Sequence, residues 1–277
     1  MTRTETTTAK TYRRHHYFLR TLAVAVAALA AAGLVVVLLY ARPAEANYPG
    51  KPGKTAFSGS DANDSEIFTI KPDGGGKLQL TDNTTNDEYP YYSPSGKRIA
   101  YSGYDGNDSE IFTINLRGGD KRNVTDNSTG DYDPAYSPSG KRIAYEGYEG
   151  PGTDGEIFTI NVGGGSRLNV TDNSTQDYYP DYAPNGKRIA YTNYAGTGTD
   201  EEIFTINVDG GGKRPLTDNA TDDNYPSYSP SGKRIAYTYY PGGGADSEIY
   251  TINVGGGGKH PVTDNATGDY DPYWGRQ

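Results

Sequence analysis

A unit of about 45 residues, repeated in tandem, dominates the chain. Five copies follow one another with a period of 43 to 46 residues, and they begin at Gly53, Gly96, Gly140, Gly186 and Gly232. Each copy holds four short β-type runs separated by Gly, Pro, Asn or Asp, for example residues 110–114, 121–125, 132–136 and 141–145. A repeat of this length with four strands is the sequence signature of a β-propeller blade.

The strand count predicts an all-β, five-bladed propeller of four-stranded antiparallel blades. The first copy, which opens at Lys54, lacks a strand that precedes the other copies, and the matching run Tyr270–Trp274 stands alone at the chain end. We therefore expect the C-terminal strand to complete the first blade and close the ring, which leaves no unpaired edge. A six-bladed ring, with one blade from sequence that does not show the repeat, is the alternative.

The composition narrows the classes of function. Cysteine is absent, which excludes disulfides, thiolate metal sites and thiol nucleophiles. The net charge is −9, and an acidic protein lacks the cationic surface that phosphate binding requires, so no nucleic-acid partner is expected. Tyrosine is abundant, with 26 residues against 6 Phe, as suits strands that are half buried.

Residues 1–46 read as an export leader. A basic N-terminal part containing Arg13 and Arg14 precedes the uncharged run 21–40, and the small-residue motif Ala44-Glu45-Ala46 follows it. The leader is a cleaved signal peptide or an uncleaved membrane anchor, because the run could span a bilayer. Residues 47–52 are a linker and residues 53–277 form the propeller. We expect an extracytoplasmic protein, periplasmic or secreted, that touches the membrane only through this N-terminal segment.

The repeat resembles a known family. The pattern Pro-x-Tyr-Ser-Pro-Ser-Gly-Lys-Arg-Ile-Ala-Tyr at 134–145, Glu-Ile-Phe-Thr-Ile-Asn at 110–115 and Val-Thr-Asp-Asn at 124–127 is similar to the TolB-like, WD40-like propeller repeat. The resemblance covers residues 53–277 and implies a propeller that binds other proteins at the cell envelope. This chain departs from the family pattern by carrying Tyr where Trp is usual, except at Trp274, and five units instead of six.

One aspartate recurs three residues before a proline in every copy, at Asp87, Asp131, Asp177, Asp223 and Asp269. An aspartate that the architecture repeats is interpreted as structural, bonding backbone amides where the chain enters the inner strand. The Thr-Asp-Asn-x-Thr element that precedes it, at 125–129 and its copies, is predicted to form an Asx-type turn.

The sequence gives little support for catalysis. His260 lies at a variable turn position, the other histidines are in the leader, and the Gly-x-Ser-x-Gly motif of hydrolases is absent. A pair of carboxylates for glycoside hydrolysis is the alternative, since acidic residues are plentiful. We therefore predict a protein that is not an enzyme, with no catalytic residues.

An acid-rich loop lies between the second and third strands of the second copy. Asp105, Asn107, Asp108 and Glu110 offer oxygen ligands within six residues, which calcium would accept. The alternative is an ordinary solvated turn, and no cofactor is required.

Strand polarity predicts two unlike faces. Antiparallel strands put the Ser-Pro-Ser-Gly-Lys-Arg turns at one end of the blades and the acidic loops at the other. We expect binding at the acidic face, because its loops vary most between copies. The candidate partner-binding residues in these loops are Tyr104, Tyr148, Tyr194 and Tyr240. The partner is predicted to be a protein, and a glycan, bound by a lectin-like or glycan-cleaving propeller, is the alternative.

Overall fold

The computed structural model describes residues 44–45, 53–61, 63–150, 153–194, 200–243 and 245–274. These residues form twenty β-strands and no helix. The strands make five sheets of four, and in each sheet four consecutive strands pair in chain order, all antiparallel. The prediction of a five-bladed propeller of four-stranded antiparallel blades is confirmed.

The strands of the five blades have the following bounds. Blade 1 contains β1 Ala44–Glu45, β2 Thr55–Ser60, β3 Ser65–Ile70 and β4 Leu78–Gln79, and blade 2 contains β5 Asp87–Tyr92, β6 Arg98–Tyr104, β7 Ser109–Asn115 and β8 Arg122–Asn123. Blade 3 contains β9 Tyr132–Tyr136, β10 Arg142–Gly147, β11 Glu156–Asn161 and β12 Leu168–Asn169, and blade 4 contains β13 Asp177–Tyr182, β14 Arg188–Tyr194, β15 Glu201–Asn207 and β16 Arg214–Pro215. Blade 5 contains β17 Asp223–Tyr228, β18 Arg234–Tyr239, β19 Glu248–Asn253 and β20 His260–Pro261.

The hydrophobic core lies between neighbouring blades. Ile111 of blade 2, which is fully buried, belongs to one cluster with Tyr136 and Ile143 of blade 3. Similar clusters lie between blades 1 and 2, between blades 3 and 4, and between blades 4 and 5. Each middle strand therefore buries both of its faces. A fully buried aliphatic or aromatic side chain such as Ile111 contributes about 1.5–3 kcal/mol to the free energy of folding.

The first strand of each blade lies on the inside of the propeller and is irregular at one point. First strands of neighbouring blades contact each other. The pairing register shifts between Glu88 and Tyr91 in blade 2 and at the equivalent place in blades 3, 4 and 5. The residue before the strand proline has a positive φ of 51–56° in each of these four blades, at Tyr89, Asp133, Tyr179 and Tyr225, and Asp271 of the C-terminal segment has a φ of 52°. This β-bulge redirects the inner side chains, and its recurrence shows that the architecture requires it.

The expected closure by the C-terminal strand is not found, and this prediction is wrong. In blade 1 the edge of β2 is occupied by β1, with Ala44 opposite Ala56 and Glu45 opposite Thr55. In blade 3 the first strand holds the same register, with Ala135 opposite Ala144. Since one strand edge accepts one partner strand, β1 fills the place that was expected for Tyr270–Trp274.

Residues 270–274 form no strand and pack on blade 5 instead. The Asp271 amide donates to Thr238 Oγ1 at 3.0 Å, and the Trp274 amide donates to Ser227 Oγ at 3.3 Å. In blade 3, Asp133 makes the same kind of contact to Ser102 of the preceding blade at 3.1 Å. The segment therefore lies beside blade 5 as the first strand of a following blade would.

The predicted leader, apart from Ala44 and Glu45, lies outside the described residues, as does the whole predicted linker, residues 47–52. Among the residues that the structure describes, none belongs to a helix long and apolar enough to cross a membrane.

Candidate functional site

The two ends of the blades carry opposite charges. Four lysines in the turns between first and second strands are exposed, and they are Lys97, Lys141, Lys187 and Lys233. The aspartate of each Thr-Asp-Asn element, at the other end of the strands, is exposed in all five blades, at Asp82, Asp126, Asp172, Asp218 and Asp264. We call these ends the lysine face and the acidic face.

Much of the remaining positive charge is used inside the blades. Arg142 begins β10 and reaches across the blade, where its Nη2 donates to the Thr159 carbonyl at 3.0 Å, to Thr159 Oγ1 at 2.7 Å and to the Ser166 carbonyl at 2.9 Å. Arg188 and Arg234 repeat this arrangement. These arginines join the second strand to the turn before the fourth strand, so they stabilise the blade and are less available to a partner.

A second set of cations stacks on aromatic rings. Lys121 Nζ lies 4.2 Å from the centre of the Phe112 ring, and the Arg167 guanidinium lies 3.7 Å from that of Phe158. Equivalent residues of the other blades make the same contact with the ring of the third strand, and they are Lys77, Lys213 and Lys259. The cation–π contact contributes about 0.5–2 kcal/mol, depending on how far the cation is desolvated.

The recurrent aspartates belong to a network that is repeated in every blade. Asp131, which directly precedes strand β9 of blade 3, is fully buried and accepts a hydrogen bond from Asn127 Nδ2 at 2.6 Å. The backbone N–H of Asn127 donates to Glu110 Oε1 at 2.6 Å, and Thr125 Oγ1 donates to the other oxygen of Glu110. The sequence led us to expect backbone amides as donors to the aspartate, whereas the structure shows the asparagine side chain.

The predicted Asx-type turn provides that asparagine. Asn127 Oδ1 accepts from the Thr129 amide at 2.9 Å and from Thr129 Oγ1 at 2.5 Å, which fixes the orientation of the amide group. Asn83, Asn173, Asn219 and Asn265 donate to their aspartates in the same way, at 2.6–2.7 Å. The turn and the buried aspartate therefore act as one structural unit.

Burial controls the ionisation of these carboxyl groups. Burial raises the pKa of Asp223 to about 7, partly opposed by the positive charge of Lys259. It raises the pKa of Asp87 to about 6, with Lys121 opposing. For the close pair Glu110 and Asp131, burial raises both pKa values, and the charge of Glu110 raises that of Asp131 further. The stacked cations thus offset part of the desolvation of the buried acids.

The four predicted partner-binding tyrosines lie at equivalent places on blades 2 to 5, and the structure puts each on a separate blade. Tyr104 ends β6 and is 42% exposed. Tyr194 ends β14 and is half-buried. Tyr148 donates to Glu146 Oε1 at 3.1 Å, and the Tyr240 ring packs 6.1 Å from that of Tyr270. Tyr104 is the most accessible of the four.

The acid-rich loop that could hold calcium forms a compact turn. Asp105 Oδ1 accepts from the Asn107 amide at 2.8 Å and from the Asp108 amide at 3.3 Å. One carboxylate oxygen each from Asp105, Asp108 and Glu110 lie within 4.8 Å of one another. Both oxygens of Glu110 are already bonded within the blade, to Asn127 and Thr125. Calcium takes six to eight oxygen ligands, so this loop supplies an incomplete set.

The inner strands carry an arrangement that the sequence analysis missed. Tyr91 of blade 2 donates from its hydroxyl to Asp181 Oδ1 of blade 4 at 3.1 Å, so the contact joins two blades that are not neighbours. Asp181 is buried, and its Oδ2 accepts from the Tyr228 amide at 2.7 Å. An alignment of the repeats singles out Asp181 as the one acidic residue at its position, where the other copies have Tyr91, Ala135, Ser227 and Tyr273, but it does not reveal the contact with Tyr91.

Another contact between inner strands joins two tyrosine rings. The Tyr179 and Tyr225 rings lie 4.2 Å apart, and the Tyr225 hydroxyl is 3.2 Å from that of Tyr179. Both residues are at the bulge with positive φ. The bulge therefore turns large side chains toward the interior of the propeller.

Comparisons with known proteins agree with this architecture. Residues 132–277, just over half of the chain, match the family model described as the TolB beta propeller domain. No curated protein matches the chain.

Three solved structures illustrate the likeness of fold. A protein from Agrobacterium tumefaciens described as TolB is 20% identical, with a TM-score of 0.67 over 80% of this chain and 82% of that one. TolB from Acinetobacter baumannii is 21% identical, with a TM-score of 0.70 over 81% of this chain and 55% of that one, so the chain spans about half of its length. An oligogalacturonate lyase in complex with manganese is 16% identical, with a TM-score of 0.58 over 76% of this chain and 62% of that one.

The likeness to these structures shows the fold, and the family match covers the last three blades and the C-terminal segment. Together with the five four-stranded blades, it establishes that the chain belongs to the TolB β-propeller family.

Proposed function

We propose that the protein is a non-enzymatic binding module outside the cytoplasm, and that it recognises a protein partner through the acidic face. The loops between second and third strands carry this proposal. They range from four residues between β6 and β7 to eight between β10 and β11, whereas the turns between first and second strands in blades 2 to 5 all have five. Variable loops on a rigid scaffold are the usual place of recognition.

The chemistry of this face supports a protein partner. Tyr104 and Tyr270 are 42% and 57% exposed, and tyrosine is among the residues that dominate binding energy at protein interfaces. They stand on the face that carries the exposed aspartate of every blade. An acidic surface with accessible aromatic rings fits a basic protein surface, since complementary charge accelerates association. The leader proposed for residues 1–46 would deliver the propeller to such a partner at the cell envelope and would stay attached as an anchor, because its Ala44 and Glu45 form strand β1 of blade 1.

Site-specific photo-cross-linking tests this proposal. A photoactivatable residue at Asp105, exposed on the acidic face, is compared with the same residue at Lys141, exposed on the lysine face. We expect one recurrent protein adduct from position 105 and none from position 141, with the partner identified by mass spectrometry. An adduct that forms at position 141 and not at 105 contradicts the proposal.

A further inference from the structure

A cavity lies at the end of the inner strands, on the side of the lysine face. Its volume is about 210 Å³, and its lining includes Pro184 and Pro230, which are exposed in the turns that follow β13 and β17. It is smaller than the roughly 300–1,000 Å³ of pockets for drug-sized ligands, so it suits one small group. The cavity is at the opposite end of the blades from the acidic face, so its ligand is independent of the proposed protein partner.

Four side chains that line the cavity come from one position of the repeat, the residue after the strand proline. They are Tyr91, Asp181, Ser227 and Tyr273, from three blades and the C-terminal segment. Since the first strands lie on the inside of the propeller and contact one another, side chains from different copies reach the same space. Asp181 is the one acidic residue at this position of the repeat, so the propeller has one such site.

Aromatic side chains form most of the cavity wall. They are Tyr91, Tyr182, Tyr228, Tyr273 and Trp274. The Tyr91 and Tyr273 rings meet edge to face with their centres 6.0 Å apart. The face of an aromatic ring carries partial negative charge and attracts cations, most strongly where water is excluded. A wall of this kind therefore favours a positively charged ligand.

Asp181 adds a full negative charge to the aromatic wall. Its side chain is buried, its Oδ1 accepts from the Tyr91 hydroxyl at 3.1 Å, and its Oδ2 accepts from the Tyr228 amide at 2.7 Å. Both partners are donors, so they hold the carboxyl group in place and favour its ionised form. Each carboxylate oxygen can accept more than one hydrogen bond, so an ammonium N–H can donate to Asp181 in addition to these partners.

This combination restricts the class of ligand. An anion would be repelled by Asp181, and a neutral molecule would gain little from the carboxylate charge and the ring faces. A hard metal ion needs several oxygen ligands, which an aromatic wall does not supply. Lys187 and Lys233 of the same face do not line the cavity, and because they are exposed, salt screens their repulsion of a cation.

We propose that this cavity binds one primary ammonium group on a short alkyl chain, carried by a free amine or by the lysine side chain of a peptide. Its N–H groups donate to Asp181, while its charge and the adjoining CH₂ groups pack against the tyrosine rings. A quaternary ammonium ion has the charge but lacks the donors, so it should bind more weakly.

Trp274 provides a direct measurement, because it lines the cavity and is the chain's one tryptophan. The full-length protein, in a non-ionic detergent at constant ionic strength, is titrated with n-butylammonium and separately with n-butanol, butyrate and n-butyltrimethylammonium. We expect a saturable change in tryptophan emission with n-butylammonium, at a roughly millimolar Kd for a ligand of this size. The other three should bind at least about tenfold more weakly. No saturable change with n-butylammonium, or binding of any of the other three that is equally tight, overturns the proposal.

A second titration separates the two sources of the ammonium group. Nα-acetyl-lysinamide carries the same group on a peptide-like backbone without a free carboxylate. An affinity at least equal to that of n-butylammonium assigns the site to a lysine side chain, and a weaker affinity assigns it to a free amine.

Variants locate the binding in the cavity. Asp181→Asn removes the charge and should weaken the binding of n-butylammonium about tenfold or more. The matched control is Asp133→Asn, at a buried aspartate of the inner layer that does not line the cavity and whose positive φ suits asparagine. This control should bind like the wild type. If Asp181→Asn keeps both the wild-type melting temperature and the wild-type affinity, the site is not this cavity.

A second pair of variants keeps the proposal testable if Asp181→Asn does not fold. Tyr273→Phe keeps the aromatic ring and should bind n-butylammonium like the wild type, whereas Tyr273→Leu removes the ring and should weaken binding about threefold or more. Equal affinities in these two variants count against the proposal.

Discussion

Asn127 Nδ2 donates to Asp131 Oδ2 at 2.6 Å, and this contact is present in all five blades. It connects the turn after the fourth strand of one blade to the first strand of the next. The contact explains why Thr-Asp-Asn-x-Thr and the later aspartate recur together in the sequence. Each boundary between successive blades from 1 to 5 is therefore fixed by this polar contact to a buried aspartate in addition to apolar packing, and the fifth copy of the contact, from Asn265 to Asp269, is exposed.

Removal of this amide should be costly where the contact is buried. We expect Asn127→Ala to lower the free energy of unfolding by about 2–3 kcal/mol, because it leaves the buried Asp131 without that donor. Asn265→Ala is the matched control, since Asn265 is exposed and Asp269 is half-buried, and it should cost less than about 1 kcal/mol. Urea unfolding of the two variants measures the difference. Equal losses would show that burial does not determine the value of the contact.

Blade 4 satisfies its aspartate more completely than blade 3 does. Asn193 Nδ2 donates to Asp177 Oδ1 and lies 2.6 Å from Thr175 Oγ1. In blade 3 the equivalent residue is Gly147, and within the described residues Asp131 Oδ1 has no donor. The repeats thus contain a natural comparison of the same aspartate with and without a second donor.

We expect Asn193→Ala to destabilise the protein by about 1–3 kcal/mol and to raise the pKa of Asp177 further. The pKa of this carboxyl group is already raised by burial, and the amide of Asn193 opposes that rise. Chemical denaturation at pH 6 and pH 8 separates the two effects, since the loss should be larger at pH 8. A loss that is the same at both pH values would contradict the role given to the amide.

Stability should fall as the pH rises from about 4 to 8. Burial raises the pKa of Glu146 to about 8 and that of Asp223 to about 7, above the values of roughly 4 in an unfolded chain. The folded state then binds more protons than the unfolded state between these limits, so the stabilisation is complete below pH 4 and is lost as the pH rises through 7 to 8. Thermal melts across this range measure the slope.

Glu146→Gln isolates one of these groups. Glutamine keeps an oxygen for the Tyr148 hydroxyl and does not ionise. At pH 8.5 the variant should be more stable than the wild type by about 1–3 kcal/mol, and the difference should shrink toward pH 5. A variant that is less stable than the wild type at pH 8.5 would show that the charged form of Glu146 is favoured in the fold.

The C-terminal segment should be essential although it forms no strand. Deletion of residues 270–277 removes Tyr273 and Trp274 from the interior and uncovers blade 5. We expect a loss of several kcal/mol and aggregation, on the scale of large core truncations. Tyr270→Ala is the control, because Tyr270 is 57% exposed and its loss should change the melting temperature little. If the truncated chain has the same melting temperature as the full chain, the packing of this segment on blade 5 does not stabilise the fold.

The repeat predicted the strands because each run alternates between two buried faces and ends in a turn signal. The position of Tyr270–Trp274 was predicted wrongly for a physical reason. The segment has the inner-strand pattern, but sequence cannot decide which of two segments occupies the single free edge at Ala56. The contact between Tyr91 and Asp181 was also missed, since it depends on how far the inner strands lie apart and not on any local pattern.

The sequence predicted which end of the blades carries positive charge, but it did not predict which of these cations are bonded within the blade. Lys141 and the residues equivalent to it are exposed as expected, whereas Arg142 and Arg167 are drawn into the blade by carbonyl groups and an aromatic ring. Sequence shows where a long cationic side chain begins, but the structure determines where its charged end lies.

The central claim is that the acidic face binds the partner. Once cross-linking has identified that partner, its Kd is measured by calorimetry for three proteins, which are the wild type, Tyr104→Ala and the double variant Lys141→Glu/Lys187→Glu. The account predicts that Tyr104→Ala raises the Kd about tenfold or more with a nearly unchanged melting temperature, while the lysine variant binds like the wild type. Binding that is lost in the lysine variant and unchanged in Tyr104→Ala would contradict it.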